Sequence, residues 1–132
     1  MKRRLTCCLA ALVCLVFSCK EEPKAEDLAA KAAENYYRLL MNGHYDRFVD
    51  GIADADSLPA DYREQLLVNA KQMMAQQQKE HQGIHDIKTV KAQIDSTAQH
   101  QAQVFLLLCF NDSTEEEIVV PMVSRGKEWR MN

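Results

Sequence analysis

Apolar positions recur at two different periods in this chain, and the change falls at Gly83. From Glu26 onward Leu28, Ala29, Ala32, Ala33, Tyr36, Tyr37 and Leu40 follow at spacings of three and four, which draws one apolar helix face. Glu26 and Asp27 stand in the first turn, facing the positive end of the helix dipole. Asn42-Gly43 supplies the stop, because glycine takes the left-handed cap without steric cost. A second, shorter helix is predicted over 44–53, with Tyr45, Phe48, Val49 and Ile52 on its inner side. Asp54, Asp56, Ser57 and Pro59 break it. A third helix is predicted over 59–82, its stripe formed by Tyr62, Leu66, Ala70, Met73 and Gln77 with Leu67 and Met74 alongside.

After Gly83 the period becomes 2. Val90, Ala92 and Ile94 alternate with Lys91, Gln93 and Asp95, the pattern of a half-buried strand. The strand predicted over 100–110 sets Ala102, Val104, Leu106, Leu108 and Phe110 on one side. Its second half is apolar on both faces, which places it centrally in a sheet. Asn111-Asp112-Ser113 is a turn cluster. Further strands are predicted over 117–123 and 128–131, and Pro121 requires an edge or a bulge because it has no N–H to give a ladder. Three helices followed by four antiparallel strands predict an α+β domain, the helices packed on one face of a curved four-stranded meander.

The first residues have a different composition. Lys2, Arg3 and Arg4 precede thirteen residues, Leu5 to Phe17, whose one polar side chain is Thr6. A charged start and a short apolar run predict a signal peptide, since a spanning helix needs ~20 apolar residues. The run Leu15-Val16-Phe17-Ser18-Cys19 resembles a lipoprotein lipobox. That resemblance implies cleavage before Cys19 and acylation of its thiol. Cys19-Lys20-Glu21-Glu22 is similar to the surface-export signal of Bacteroidetes lipoproteins, which implies an outer-membrane, surface-exposed location. The organisation expected is a signal peptide over 1–18, a lipidated tether over 19–25 and one domain over 26–132.

Sixteen basic against 19 acidic side chains give a net charge of −3, and removing Lys2, Arg3 and Arg4 takes it to −6. Such a chain has no basic excess for nucleic acid. Anionic lipid would repel it, so the lipid on Cys19, and not a basic patch, is expected to hold it at the membrane. Of five cysteines, Cys7, Cys8 and Cys14 leave with the signal peptide and Cys19 takes the lipid. Cys109 then remains alone, without an internal disulfide partner.

Helices reading Ala32-Ala33-Glu34-Asn35-Tyr36-Tyr37 and Tyr45-Asp46-Arg47-Phe48, a long amphipathic helix, a meander and a closing Gly126-Lys127-Glu128-Trp129-Arg130-Met131 follow the expected lipidated tether in that order. This succession resembles envelope lipoproteins with a nuclear-transport-factor-2-like domain, also called cystatin-like or SnoaL-like, of unknown function. The resemblance implies a cone-shaped α+β fold whose mouth is the usual ligand position. Enzymes of that superfamily use an Asp base with a Tyr/Asp oxyanion hole, but no local motif carries those residues onto this chain, and fold alone does not give function.

No catalytic constellation, metal site or cofactor motif is expected. His81 and His85 are four apart with Gly83 between them, and read as polar residues at a helix end. Asp46, Asp50 and Asp54 would line one helix face without the alternation of a calcium loop. Glu115, Glu116 and Glu117 read as a charged guard against edge pairing. Cys109 sits among Leu106, Leu107, Leu108 and Phe110, a packing position. Tyr36, Tyr37, Tyr45, Phe48, Phe105 and Trp129 either line a pocket between helices and sheet or form the core itself. The expected function is a lipid-anchored, non-enzymatic binding or interaction module for an envelope protein, a glycan or a small apolar ligand. The alternatives are a small isomerase- or cyclase-like enzyme acting in the cone, and an inhibitor or immunity-type protein.

Overall fold

A computed structural model of the chain describes residues 22–132; the predicted signal peptide, Cys19 and the start of the tether lie outside the described residues. Helix α1 spans Ala25–Met41, α2 Tyr45–Asp50 and α3 Ala60–His81, with one 3-10 turn at Ala55–Ser57. Strands β1 (Ile84–Ile94), β2 (Gln101–Phe110), β3 (Glu115–Arg125) and β4 (Glu128–Met131) form one antiparallel sheet in the order β1-β2-β3-β4. The α+β meander expected from the periodicity is therefore the observed fold.

The core lies between α1 and one face of the sheet. Ala29, Ala30 and Ala33 are the α1 residues in it, packed with Ile87, Val104, Leu106, Leu108, Phe110, Val120, Met122 and Trp129. Small side chains let the helix approach the strands closely, so the larger strand residues fill the space beneath it. Arg38 fastens the far end of α1 to β1. Its Nη2 donates to Ile87 O at 2.7 Å and to Asp86 at 3.1 Å, and also pairs with Glu34. Thr89 donates to the other Glu34 oxygen at 2.8 Å.

Two elements differ from expectation. The helix over 44–53 ends at Asp50, and the backbone at Gly51–Ala53 pairs with β4 instead. Met131 N donates to Gly51 O at 2.8 Å and Ala53 N to Met131 O at 2.7 Å, which covers the outer edge of the short last strand. Asp46 and Asp50 lie four apart on α2, whereas Asp54 falls beyond its end and off that face. Asp50 pairs with Arg63 at 2.8 Å, and Asp54, in a left-handed conformation at φ 60°, pairs with Arg125 at 3.0 Å. Strand β1 begins at Ile84, earlier than the alternation predicts, because two register shifts, between Ile84 and Asp86 and between Thr89 and Lys91, break the period.

Helix α3 adds no side chain to the main core, and only Ala70 on it is fully buried. Tyr62, assigned to its inner stripe, is 53% exposed. The helix is clasped at its ends. Arg63 holds Asp50 on α2, and the other terminus is stitched to the β2–β3 turn. Gln82 takes a left-handed cap, Asn111 N donates to Gly83 O at 2.9 Å, and Asp112 N donates to His81 O at 3.2 Å. His81 stacks on Phe110 with ring centroids 4.2 Å apart and binds Asp112 at 2.9 Å. It is thus a half-buried clasp and not a solvated helix end. Thr114 gives Asp112 both its hydroxyl and its backbone N–H, and with His81 these bonds hold the Asp112 carboxyl down to about 2.

Candidate functional site

Under α1 the space is closed. Ile87, Val104, Leu106, Leu108 and Phe110 have essentially no exposure, and no polar or charged side chain among the described residues is fully buried. The concavities open at the surface. One of them, about 490 Å³, is a cleft where α1, the exit of α2 and β4 meet. Tyr36, Arg47, Asp50, Gly51, Trp129 and Arg130 are among its walls. A smaller one of about 360 Å³ lies between the start of α2 and α3, with Tyr45, Arg47 and Lys71 on its lining. Arg47 borders both.

Tyr36 organises the larger cleft. It follows Ala29 and Ala33 on the inward side of α1, and its hydroxyl donates to Trp129 O at 3.0 Å. Its ring lies against the backbone of Gly51, so closely that a β-carbon there would stand 2.4 Å from Tyr36 Cδ1. Burial raises the Tyr36 phenol above its ordinary range, with Arg130 partly opposing, so the hydroxyl stays a donor. Arg130 lines the cleft, donating to the backbone Asp50 O at 2.7 Å and to Glu128 at 2.9 Å; the Glu128 bond raises the guanidinium further above its ordinary value. The Asp50 carboxylate pairs with Arg63 and the Glu128 carboxylate with Arg130. Among the described residues Arg47 makes no ion pair. The cleft offers a free cation, two compensated carboxylates and the Tyr36 ring. That chemistry suits recognition of a polar group and places no free base beside an acid.

The aromatic residues singled out from the sequence do not form one pocket. Tyr36 and Trp129 share the larger cleft, with the Trp129 ring buried in the core. Tyr45 lines the smaller one. Tyr37 and Phe48 meet edge to face at 5.6 Å, half-buried against the core, and burial raises the Tyr37 phenol. Phe105 does not line the space between helices and sheet. Its register sets it between Lys91 and Val119 on the opposite face, with the Lys91 ammonium 4.6 Å above its ring. Gly51, Arg47 and Arg130 were not singled out as site residues. Gly51 carried one signal, a glycine inside a predicted helix, which costs about 1 kcal/mol against alanine and so points to a close contact. Among the described residues no group of three or more His, Cys, Asp or Glu could hold a metal ion.

No protein-family model matches the chain, and no curated protein matches it. Among solved structures it is similar to a Campylobacter jejuni protein named "Putative NTF2-like transpeptidase". The TM-score is 0.62, over 76% of this chain and 94% of that chain, at 15% sequence identity. The fold is NTF2-like. At that identity the likeness extends to the architecture and not to the chemistry in the neighbour's name. The NTF2-like fold hosts enzymes and non-enzymes alike, and here its helices and meander set the cleft at the junction of α1, α2 and the last strand.

Proposed function

We propose that this protein is a lipid-anchored component of the cell envelope whose NTF2-like domain is a binding module, with the Tyr36–Trp129–Arg130 cleft as its recognition site. The observation that carries the binding reading is the filled interior. The sheet face that would line an enclosed reaction chamber is occupied by Val104, Leu106, Leu108 and Phe110, and the accessible polar groups stand on the rim. A chamber reaction of the isomerase or cyclase type would need an acid or base aimed into that apolar space. The anchoring part rests on the lipobox-like run ending at Cys19 and the charged tether after it.

Expression of the full chain tests the anchor. The parent protein should sediment with membranes and carry acyl chains on Cys19 by mass spectrometry, and Cys19→Ala should release a folded domain. A Cys19→Ala variant that still sediments overturns anchoring. Titration of the isotopically labelled domain with soluble peptidoglycan fragments and with envelope oligosaccharides tests the cleft. Resonance shifts are expected around Tyr36, Arg47, Trp129 and Arg130. Turnover of either titrant, or shifts confined to other surfaces, overturns the module reading.

A further inference from the structure

The sheet has an open edge in its interior run. Strand β3 pairs with β2 from Glu115 to Val123 without a register shift, but β4 covers it only over Met122–Arg125. The next backbone bond on that side is Asn132 N to Pro121 O at 2.9 Å. Among the described residues nothing pairs with the backbone of β3 before Pro121 on this side.

Which groups the edge presents follows from strand geometry. Within an extended residue the N–H and C=O point to the same side, and successive residues alternate. Ser124 N donates across to His100 O at the β2 side, whereas Pro121 O receives its bond from the β4 side. Counting back by twos, Val119, Glu117 and Glu115 direct their N–H and C=O to the open edge, and Val120, Ile118 and Glu116 direct theirs to β2. The missing N–H of Pro121 thus falls on the edge side, where it disrupts no ladder within the sheet. The side chains along the edge are Glu115, Glu116 and Glu117, then half-buried Ile118 and Val119, 49% exposed. None of the three glutamates makes an ion pair among the described residues.

We propose that the β3 edge over Glu115–Val119 accepts an extended basic segment of a partner protein as an added antiparallel strand. Backbone bonds to Val119, Glu117 and Glu115 would supply the pairing, and lysines or arginines opposite the glutamates the selection. The opposite sheet edge is not equivalent. Strand β1 is bulged twice, bears Lys88 and Lys91, and has its Ile87 carbonyl taken by Arg38. Those bulges also make β1 of a second copy a poor occupant, despite its lysines, because an added strand needs an unbroken register. The proposal rests on the sheet edge alone and is independent of the cleft.

The probe is a capped peptide of three valines followed by three lysines, whose antiparallel placement sets the lysines against the glutamates. Amide exchange of the full domain is followed by NMR with and without it. Exchange should slow at Glu115, Glu117 and Val119 and stay unchanged at Glu116, Ile118 and Val120, already bonded to β2. The same peptide N-methylated on its edge-facing residues should bind about tenfold more weakly or worse, the loss of two or more backbone bonds. Glu117→Lys, an exposed change, should weaken the unmethylated peptide as well. Equal binding of the methylated peptide would reduce the effect to charge attraction and overturn strand addition. So would protection at the even-numbered residues, or no binding at all, which would leave the glutamates as guards of the edge.

Discussion

Replacing Gly51 by alanine separates two opposed effects whose balance the structure sets. Gly51 has φ −76°, a conformation open to any residue, so the backbone gives no reason for glycine. On that ground alone Gly51→Ala should stabilise the protein by about 0.4–1 kcal/mol, through the lower entropy of the unfolded chain. The new methyl, however, would stand 2.4 Å from Cδ1 and 2.5 Å from Cε1 of Tyr36. Relieving such an overlap costs about 1–3 kcal/mol in a packed site. The ring cannot swing away freely, because its hydroxyl is bonded to Trp129 O and its other side borders the core. Losing that bond adds about 0.5–1.5 kcal/mol. The expected net effect is a destabilisation of about 1–3 kcal/mol, at roughly 4–8 °C in Tm for each kcal/mol in a domain of this size.

The assay is urea unfolding followed by Trp129 fluorescence, which has no competing tryptophan in the chain. Gly51→Ala is compared in the parent protein and in a Tyr36→Ala background, where the ring is gone and only the backbone effect remains. There the same substitution should be neutral or stabilising, a coupling of about 1–3 kcal/mol between the two sites. Tyr36→Phe isolates the hydroxyl. An equal cost of Gly51→Ala in both backgrounds, or a stabilised parent protein, would refute the argument that Tyr36 and Gly51 hold the cleft together.

The clasp at the end of α3 should loosen in acid. The Asp112 carboxyl lies below its unfolded value, so the stability it contributes is present above about pH 4 and is lost as pH falls toward about 2; Asp112→Asn should remove this acid dependence, read as amide exchange at Gly83 and Asn111. Gln77→Met should stabilise the protein by about 1 kcal/mol in thermal unfolding, since the Gln77 side-chain oxygen is buried without a hydrogen-bond partner. A loss of stability would show that this amide is satisfied in solution. The Cys109 thiol, 3% exposed, should react with an aromatic disulfide reagent only at the rate of domain opening, and fast labelling of the native protein would contradict its burial.

Local periodicity carried most of the architecture, and the departures share one physical origin. The bounds of α1, α3, β2 and β4 lie within a residue or two of those expected, because each element's own apolar spacing or stop residue defines it. The misreadings occur where a partner distant in sequence decides. Residues 51–53 leave helical geometry because Met131, far along the chain, offers them a strand edge. The start of β1 is hidden by bulges that mean something only against β2. The stripe of α3 reads as core-facing, yet the alanines of α1 bring that helix onto the sheet and leave α3 no room in the same core.

The candidate site inherits this pattern, which explains why it was only half legible. Tyr36 and Trp129 stand out as aromatics in predicted elements, but what makes them a cleft is the β4 edge being covered by the exit of α2. That covering brings Asp50 to Arg130 and Gly51 to Tyr36. Only the glycine recorded the arrangement in one dimension, as a residue unsuited to the helix it interrupts. Phe105 shows the converse. Its identity suggested a pocket, while its parity in β2 had already assigned it to the other face, opposite Leu106 and Val104. For side chains on strands, parity is therefore the stronger guide to a site than aromatic character, and for helices the stronger guide is the residue that breaks the pattern.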